Sequence, residues 1–524
     1  MKEKLILYIL ATCITVVYFA SAVGLINSSD TPQYFTAEAF IHNGNLDMSV
    51  YKHEPHFFVY PDYFTHNSQM LNVRGYLSSL LFIPFHAISS VTHFLLTEKG
   101  FPEEVITQHF TYELSIVMFF SLLTVVGLLA LYKALYILTE NRLISLLTTI
   151  AAALGTYLWK YSSFYTRQGY SVGILGLLML CLSFLSVPSR KKNGWISSFT
   201  GLLYGVSFGI DPILFIALSI YFGLVVLVSL IKQKVIPPIR LHRRAFILTA
   251  ALVIAGIVAG NYHFYGSPQS TYADRVDFLY FQLREKTDDF VISAPIIPVM
   301  KAVLFNTGKL SPETLSHFQG QSEVIKDSTS FRYTQSYDFY GMFVLSPFLF
   351  LGCFILFFPY RVRKHAYIIT FCLLVFALGI VGNAKIYGFW GGNQYDIRYF
   401  YPYAMLLALT SGLVVQEVWL LRHKKGIRML VYAFMSYWIL AIIFSIVMGW
   451  LSVIGMYKPA LTGERRLWLT LHNVFDEYMK YSTREYLEAA FMNRYNAWLG
   501  AVLTTFVFLI HNFFAFIYRR TSKK

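Results

Sequence analysis

Residues 114–132 read LSIVMFFSLLTVVGLLALY, an apolar stretch without a single charged side chain. A helix needs about 20 apolar residues to cross the hydrocarbon core of a bilayer. That core offers no water to backbone N–H and C=O groups, so a spanning segment must satisfy them internally as a helix. The stretch therefore predicts a transmembrane helix.

Comparable stretches recur along the chain, which has 524 residues, 56% of them hydrophobic and 14% charged. Soluble domains carry about 25% charged residues, so this composition indicates an all-α polytopic membrane protein. Twelve spans are predicted: residues 5–25, 113–132, 143–158, 170–187, 196–210, 213–231, 245–262, 339–359, 366–382, 399–421, 429–455 and 497–518.

Basic cytoplasmic loops explain the net charge of +15 better than nucleic-acid binding does. Cytoplasmic loops of membrane proteins accumulate Lys and Arg. The basic clusters that we assign to the cytoplasm are Arg190–Lys192, Lys232–Arg244, Arg361–Lys364, Arg422–Arg428 and Arg519–Lys524. This assignment predicts cytoplasmic termini, short cytoplasmic loops and long external loops.

The apolar stretch 76–96 has both ends on the external side in this topology. We therefore expect a re-entrant or interfacial element there, and a thirteenth span is the alternative. Three parts are predicted: an N-terminal transmembrane module with an external loop, an external lid, and a C-terminal transmembrane module with a second external loop. Their bounds are 1–262 (loop 26–111), 263–338, and 339–524 (loop 456–496).

The first external loop begins with NSSDTPQYFTAEAFIHNG, residues 27–44. Pro32 suits the first turn of a helix, and Gly44 suits its end. A short helix is therefore predicted directly after the first span.

On that helix Asp30, Tyr34 and Glu38 are spaced by four residues and share one face. A carboxylate just outside the membrane can deprotonate an acceptor hydroxyl, although Asp30 can equally serve only as the helix cap.

This loop resembles the first external loop of the GT-C superfamily, which includes protein O-mannosyltransferases and the aminoarabinose transferases that act on lipid A. Members place an Asp directly after the first span, and Asp30 matches it. Three later stretches resemble the family in the same order: NYHFYGSP at 261–268, YGMFVLSP at 340–347, and FWGGNQYDIRYFYP at 389–402. The similarity reaches from residue 27 to residue 402.

The resemblance implies a GT-C-type helix bundle in which Asp30 is the catalytic base. It favours Arg167, and after it Lys160, as ligands of the donor phosphate in the turn 159–170. Arg398 is a third candidate, since guanidinium groups form bidentate pairs with phosphate oxygens. Cations at span ends also occur in plain aromatic interface belts, so that interpretation stays open.

Further residues are candidates for lining the substrate cavity. They are Tyr34, Glu38, Arg74, Asp211, Trp390 and Tyr399. Asp211 departs from the Arg-Pro or Lys-Pro that family members have at this turn, and it reverses the charge there. His53, Glu54 and His56 are weak candidates for a metal site, because they can bind a metal but match no standard zinc spacing.

The activity that the resemblance implies is inverting transfer of a monosaccharide from a polyprenyl-phosphate carrier on the non-cytoplasmic face. The acceptor is a lipid, a glycan or a protein. The reaction needs no nucleotide, a divalent cation stays an open alternative as cofactor, and no nucleic-acid partner is expected. A bacterial cytoplasmic membrane is the expected location.

Three rival functions remain from the sequence: a transporter or flippase for a lipid-linked sugar, a non-enzymatic envelope-assembly protein, and a polymerase or ligase that uses a diphosphate-linked oligosaccharide. Transporters typically contain internal repeats and ionisable groups at the bilayer midplane. In this chain the charges fall at span ends and in external loops.

Overall fold

The computed structural model describes thirteen stretches of the chain. They are residues 2–22, 31–52, 63–72, 75–98, 108–162, 168–186, 194–231, 241–266, 296–305, 307–308, 339–384, 400–462 and 494–521.

The N-terminal half is helical apart from one hairpin. Its helices are α1 (Lys2–Ala20), α2 (Thr31–Asn43), α3 (Tyr76–Leu80), α4 (Ile83–Glu98), α5 (Gln108–Thr139), α6 (Arg142–Leu154), α7 (Tyr157–Ser162), α8 (Gln168–Ser186), α9 (Gly194–Ile210), α10 (Pro212–Ile231) and α11 (Arg243–Tyr265). A 3₁₀ turn at Met48–Tyr51 precedes the antiparallel strands β1 (Tyr63–His66) and β2 (Gln69–Asn72).

The C-terminal half continues the helical pattern with shorter pieces at its start. Its elements are α12 (Ile296–Phe305), β3 (Thr307–Gly308), β4 (Phe339–Tyr340), α13 (Met342–Leu345), α14 (Pro347–Phe350), a 3₁₀ helix (Leu351–Phe357), α15 (Pro359–Lys364), α16 (Ala366–Ala384), a 3₁₀ turn (Tyr401–Tyr403), α17 (Ala404–Leu420), two 3₁₀ turns (Leu421–His423 and Lys425–Ile427), α18 (Arg428–Thr462) and α19 (Arg494–Thr521).

Within the described residues, six helical segments are long and apolar enough to cross a membrane. They are Ile116–Thr139, Gln168–Ser186, Arg243–Tyr265, Ala366–Ala384, Tyr401–His423 and Lys425–Trp450. Shorter apolar helices accompany them, among them Lys4–Ala20 and Pro212–Val228. Lengths and compositions of this kind are those of an integral membrane protein.

The spans differ in how deeply they are buried in the bundle. The apolar windows of α5, α8 and α17 are 72%, 78% and 72% buried, whereas those of α11 and α18 are 22% and 28% buried. A helix that is apolar all round but largely uncovered by protein is suited to contact lipid. The bundle therefore has a central group, α5, α8 and α17, and a periphery that includes α11 and α18.

The central helices α5 and α8 approach each other through glycines. A Cβ atom built on Gly176 would lie 2.5 Å from the Cα of Gly127, and one built on Gly127 would lie 2.8 Å from the carbonyl oxygen of Val172. Small residues permit such close backbone contact between membrane helices. Neither glycine can therefore be replaced without separating the two helices.

The predicted span 339–359 is interrupted in the structure. Helix α13 ends before Ser346, whose φ and ψ are −131° and 67°, and α14 starts at Pro347. Proline lacks an N–H and forces the preceding residue out of the helical region, which explains the break. This part of the chain is thus a series of short helical pieces rather than one continuous helix.

The stretch 76–96 is divided at Leu81 and Phe82 into α3 and α4. Helix α4 buries the polar His86 and Ser89, whereas the apolar Val91 and Phe94 are 59% and 61% exposed. This pattern is the reverse of that of a helix on the surface of a soluble protein. It is the pattern expected where the outer face of a helix contacts lipid.

One end of the bundle, the basic end, is defined by residues 138–142, 361–365 and 416–428. There Asn141 Nδ2 donates to Gln416 Oε1 at 3.0 Å, and buried Arg361 pairs with Glu417. The cytoplasmic clusters 361–364 and 422–428 predicted from charge lie here. Helix α6 starts at the basic end, and α17 ends there. The two helices are 13 and 17 residues long, so α7, which follows α6, and Tyr401, which precedes α17, lie at the opposite end.

Candidate active site

Most of the predicted site residues lie outside the described part of the chain. These are Asp30, Arg74, Arg167, Trp390, Arg398 and Tyr399, together with the metal candidates His53, Glu54 and His56. Four predicted residues are described: Tyr34, Glu38, Lys160 and Asp211. Among the described residues no group of three His, Cys, Asp or Glu side chains is arranged to hold a metal ion.

Helix α2 has the bounds that its sequence predicts. It begins at Thr31, includes Pro32 in the first turn and ends at Asn43. Gly44 follows with a φ of +66°, the left-handed conformation that commonly ends a helix. The predicted helix after the first span is confirmed, and its start is the residue that follows Asp30.

Tyr34 and Glu38 lie on one face of α2 and both contact His86 of α4. Glu38 Oε2 is 2.6 Å from His86 Nε2, and the Tyr34 ring stacks on the His86 ring at 5.8 Å between centroids. On the solvent side, His42 Nε2 lies 3.5 Å from Glu38 Oε1. A carboxylate that is hydrogen-bonded to an imidazole fixes the orientation of the ring.

The environment of Glu38 favours its ionised form. Burial alone would raise the pKa of this carboxyl, but the hydrogen bond and charge of His86, the hydrogen bond of Tyr34 and the charge of His42 together hold the pKa below its ordinary value. A carboxyl with a depressed pKa adds stability above its ordinary pKa and loses it as the pH falls through the depressed value.

Replacing Glu38 with Gln is expected to lower the thermal unfolding midpoint at pH 7, because His86 loses a charged partner. This difference should shrink as the pH falls below the ordinary pKa of Glu, about 4.3, and vanish once Glu38 is protonated in the wild type as well. The measurement is the unfolding midpoint of the purified protein across this pH range. A difference that persists unchanged after Glu38 is protonated would contradict the assigned interaction.

The pairing of His86 with Glu38 was not predicted from the sequence. The two residues are 48 positions apart. The available signal was a histidine within an apolar stretch beside a loop that offers a carboxylate, since ionisable groups at membrane depth usually have partners.

Lys160 lies on α7 and is buried, with its Nζ 5.9 Å from the centre of the Tyr161 ring. Its helix joins two other parts of the chain. Trp159 Nε1 donates to Ser21 Oγ of the segment after α1 at 2.8 Å, and the Tyr161 ring stacks on the Tyr401 ring at 4.5 Å. The end of α1, the helix that carries Lys160 and the start of the tenth predicted span are therefore adjacent.

Asp211, between α9 and α10, lies at the same end of the bundle as α7 and the start of α8. Its Oδ2 accepts from Ser171 Oγ at 2.9 Å, and its Oδ1 accepts from the backbone N–H of Leu214 at 3.1 Å. It therefore caps the N-terminus of α10. No ion pair joins Asp211 to a cation among the described residues, so a helix cap accounts for the acid at this turn.

The start of α8, which directly follows Arg167, also contacts α3, part of the predicted first external loop. Tyr170 Oη donates to the carbonyl oxygen of Ser78 in α3 at 3.3 Å. Helix α3 in turn packs on α11, where Tyr76 Oη donates to the carbonyl oxygen of Gly256 at 3.2 Å. One region at the end opposite the basic end thus contains residues that lie in or beside four of the sequence motifs: 27–44, 159–170, 261–268 and 389–402.

Comparison with known proteins gives similarity in structure only. No protein-family model matches the chain, and no curated protein matches its sequence. The crystal structure of ArnT from Cupriavidus metallidurans bound to undecaprenyl phosphate is similar with a TM-score of 0.42 and 11% identity, over 95% of this chain and 76% of that one.

Two archaeal structures are similar to the same degree. The Archaeoglobus fulgidus oligosaccharyltransferase in complex with zinc and sulfate has a TM-score of 0.43 and 15% identity, over 86% of this chain and 55% of that one. Oligosaccharyltransferase AglB from Archaeoglobus fulgidus, with an inhibitory peptide and a dolichol-phosphate, has 0.42 and 14%, over 89% and 60%. Scores and identities this low carry no statement about the reaction of this chain.

Proposed function

We propose that the chain is a GT-C-type membrane glycosyltransferase that transfers a monosaccharide from a polyprenyl-phosphate carrier to a lipid, glycan or protein acceptor on the non-cytoplasmic face. One observation carries the proposal. The described residues that flank Asp30, Arg167 and Arg398 belong to segments that contact one another at a single end of the bundle, through Trp159–Ser21 and Tyr161–Tyr401.

Chain geometry supports a common site for the three candidates. Arg167 directly precedes Gln168, the first residue of α8, and consecutive Cα atoms of any chain are about 3.8 Å apart. Arg398 is three residues from Tyr401, and Asp30 is one residue from the start of α2. Buried Lys160 adds a cation to the same region.

The proposed reaction is a displacement at the anomeric carbon. Asp30 accepts the proton of the acceptor hydroxyl as its oxygen bonds to the anomeric carbon, and the bond from that carbon to the phosphate oxygen breaks. The polyprenyl phosphate leaves, and the configuration inverts. Arg167, Arg398 and Lys160 stabilise the charge that builds on the departing phosphate.

The proposed topology keeps twelve spans with both termini in the cytoplasm, and the division into two transmembrane modules and a lid at 263–338. Six of these spans correspond to the long apolar helices described above. The basic end faces the cytoplasm, which is the side where Lys and Arg accumulate, and the candidate site faces away from it.

Mass spectrometry of envelope glycolipids and glycoproteins tests the function. A deletion strain should lack one glycan modification that its parent carries, and a plasmid copy of the wild-type chain should restore it. Identical glycan profiles in the two strains would contradict the proposal. Uptake of a lipid-linked sugar by vesicles that contain the purified protein, without any glycosylated product, would support the transporter instead.

A further inference from the structure

A cavity of about 560 Å³ opens at the basic end of the bundle, far from the candidate active site. The turn between α5 and α6 forms one wall, and the C-terminal end of α17 forms the other. We call it the basic-end cavity. The side chains that decide its character are Tyr136, Asn141, Arg142, Gln416, Trp419 and Arg422.

Each arginine of the basic-end cavity is held against an aromatic ring. The guanidinium carbon of Arg422 is 4.4 Å from the centre of the Trp419 ring, and that of Arg142 is 5.7 Å from the centre of the Tyr136 ring. Stacking of this kind leaves the N–H groups at the guanidinium edge available for hydrogen bonds. Arg422 uses one of them on the carbonyl oxygen of Trp419, at 3.0 Å.

Neither arginine is paired with a carboxylate of the described residues. Over the ranges that the structure describes, no carboxylate lies within salt-bridge distance of Arg142 or Arg422. Two further lining residues, Asn141 and Gln416, are hydrogen-bonded to each other and add no charge. Glu140 also lines the cavity but is exposed. The cavity therefore offers two oriented guanidinium groups to an anion.

The position of the cavity along the bundle axis indicates which anion can bind there. Two candidate spans, Ile116–Thr139 and Tyr401–His423, both end at its walls. Phospholipid head groups lie at the ends of spans, and basic pockets between membrane helices bind anionic head groups there. Trp419 and Tyr136 also belong to the residue types that concentrate at this level of the bilayer.

We propose that the basic-end cavity binds a phosphate ester between Arg142 and Arg422, supplied by the head group of an anionic phospholipid. The site is independent of glycosyl transfer, since it lies at the other end of the bundle. Phosphate oxygens accept bidentate hydrogen bonds from guanidinium groups, and the volume is ample for a glycerophosphate unit.

Native mass spectrometry of the full-length protein with added short-chain phosphatidylglycerol tests the site, with phosphatidylcholine, glycerol 3-phosphate and inorganic phosphate as further probes. Each basic residue near an anionic lipid contributes about a fivefold change in affinity. Phosphatidylglycerol should therefore bind roughly fivefold more weakly to Arg142→Gln and about 25-fold more weakly to Arg142→Gln/Arg422→Gln.

The matched control is Arg363→Gln/Arg428→Gln. It removes the same charge at the same end of the bundle, from two exposed positions outside the cavity, and Arg428 likewise stacks on an aromatic ring, that of Tyr432, at 5.5 Å. Its affinity for phosphatidylglycerol should match that of the wild type. Arg142→Gln, at an exposed helix start, tests the site even if the double variant unfolds.

The results separate the possible ligands. Tight binding of phosphatidylglycerol alone, lost in the cavity variants and kept in the control, supports the proposal. Equal binding of glycerol 3-phosphate would overturn the lipid as the source and leave a soluble phosphate ester, and equal binding of inorganic phosphate would overturn the ester as well. Equal binding of phosphatidylcholine, or equal losses in the cavity variants and the control, would overturn the site.

Discussion

Replacing Asp30 with Asn is expected to lower the rate of glycosyl transfer by about two to four orders of magnitude, the range that a positioned general base contributes. The amide has nearly the shape of the carboxylate, and Asn is as well suited as Asp to the position before a helix that starts at Thr31. It cannot accept the proton of the acceptor hydroxyl. Expression level and unfolding midpoint should therefore stay close to those of the wild type.

The measurement is restoration of the missing glycan in the deletion strain, together with the initial rate of transfer by purified protein once the donor is identified. Glu98→Gln is the matched control, because it removes an exposed carboxylate from α4, on the same predicted external loop. It should restore the glycan fully. Near wild-type transfer by Asp30→Asn would end the assignment of the base, although another base could still serve a glycosyltransferase.

Replacing Arg361 with Met is expected to lower the free energy of unfolding by about 3 to 5 kcal/mol, the usual cost of removing one partner from a buried ion pair. The Arg361 and Glu417 side chains are 8% and 15% exposed, so the substitution leaves Glu417 charged and largely without water. It also removes the hydrogen bond to the carbonyl oxygen of Leu138, 3.2 Å away.

His365 adds to this pair as a neutral acceptor. Burial, the charge of Arg361 and that of Lys364 lower the pKa of His365 to about 3. The imidazole is therefore uncharged at neutral pH, and its Nε2, 3.1 Å from Arg361 Nη1, accepts a hydrogen bond. The loss of Arg361 thus breaks contacts that join α5, α15 and α17.

Two further variants test the buried pair. Arg363→Met changes an exposed residue of the same short helix and should leave the unfolding midpoint within experimental error. Arg361→Met/Glu417→Leu removes both charges and should recover most of the lost stability, as happens when apolar side chains replace a buried pair. Equal destabilisation by Arg361→Met and Arg363→Met would show that the pair contributes nothing.

Local features were readable from the sequence because they depend on neighbouring residues. Pro32 and Gly44 gave the bounds of α2, and apolar length gave the long spans. The break before Pro347 shows where apolar length misleads, since hydropathy does not register a missing N–H. Helix α18 also continues to Thr462, past the end of the predicted span at 455 and into the predicted external loop.

Contacts between distant residues were not readable in the same way. Glu38 and His86, or Arg361 and Glu417, are separated by 48 and 56 positions. Their pairing depends on how the helices pack, and no spacing rule within one helix encodes it. For the same reason the hydrogen bond from Ser171 to Asp211, 40 positions away in another helix, could not be predicted from the sequence.

The glycine contact between α5 and α8 has a mechanical consequence. With Gly127 and Gly176 backbone to backbone, no side chain separates these helices at that crossing point, which resists sliding of one along the other. We expect them to move as one rigid unit. A passage for a bulky carrier lipid would then have to open by displacement of weakly covered helices such as α11 and α18, which makes the periphery the adjustable part of the protein.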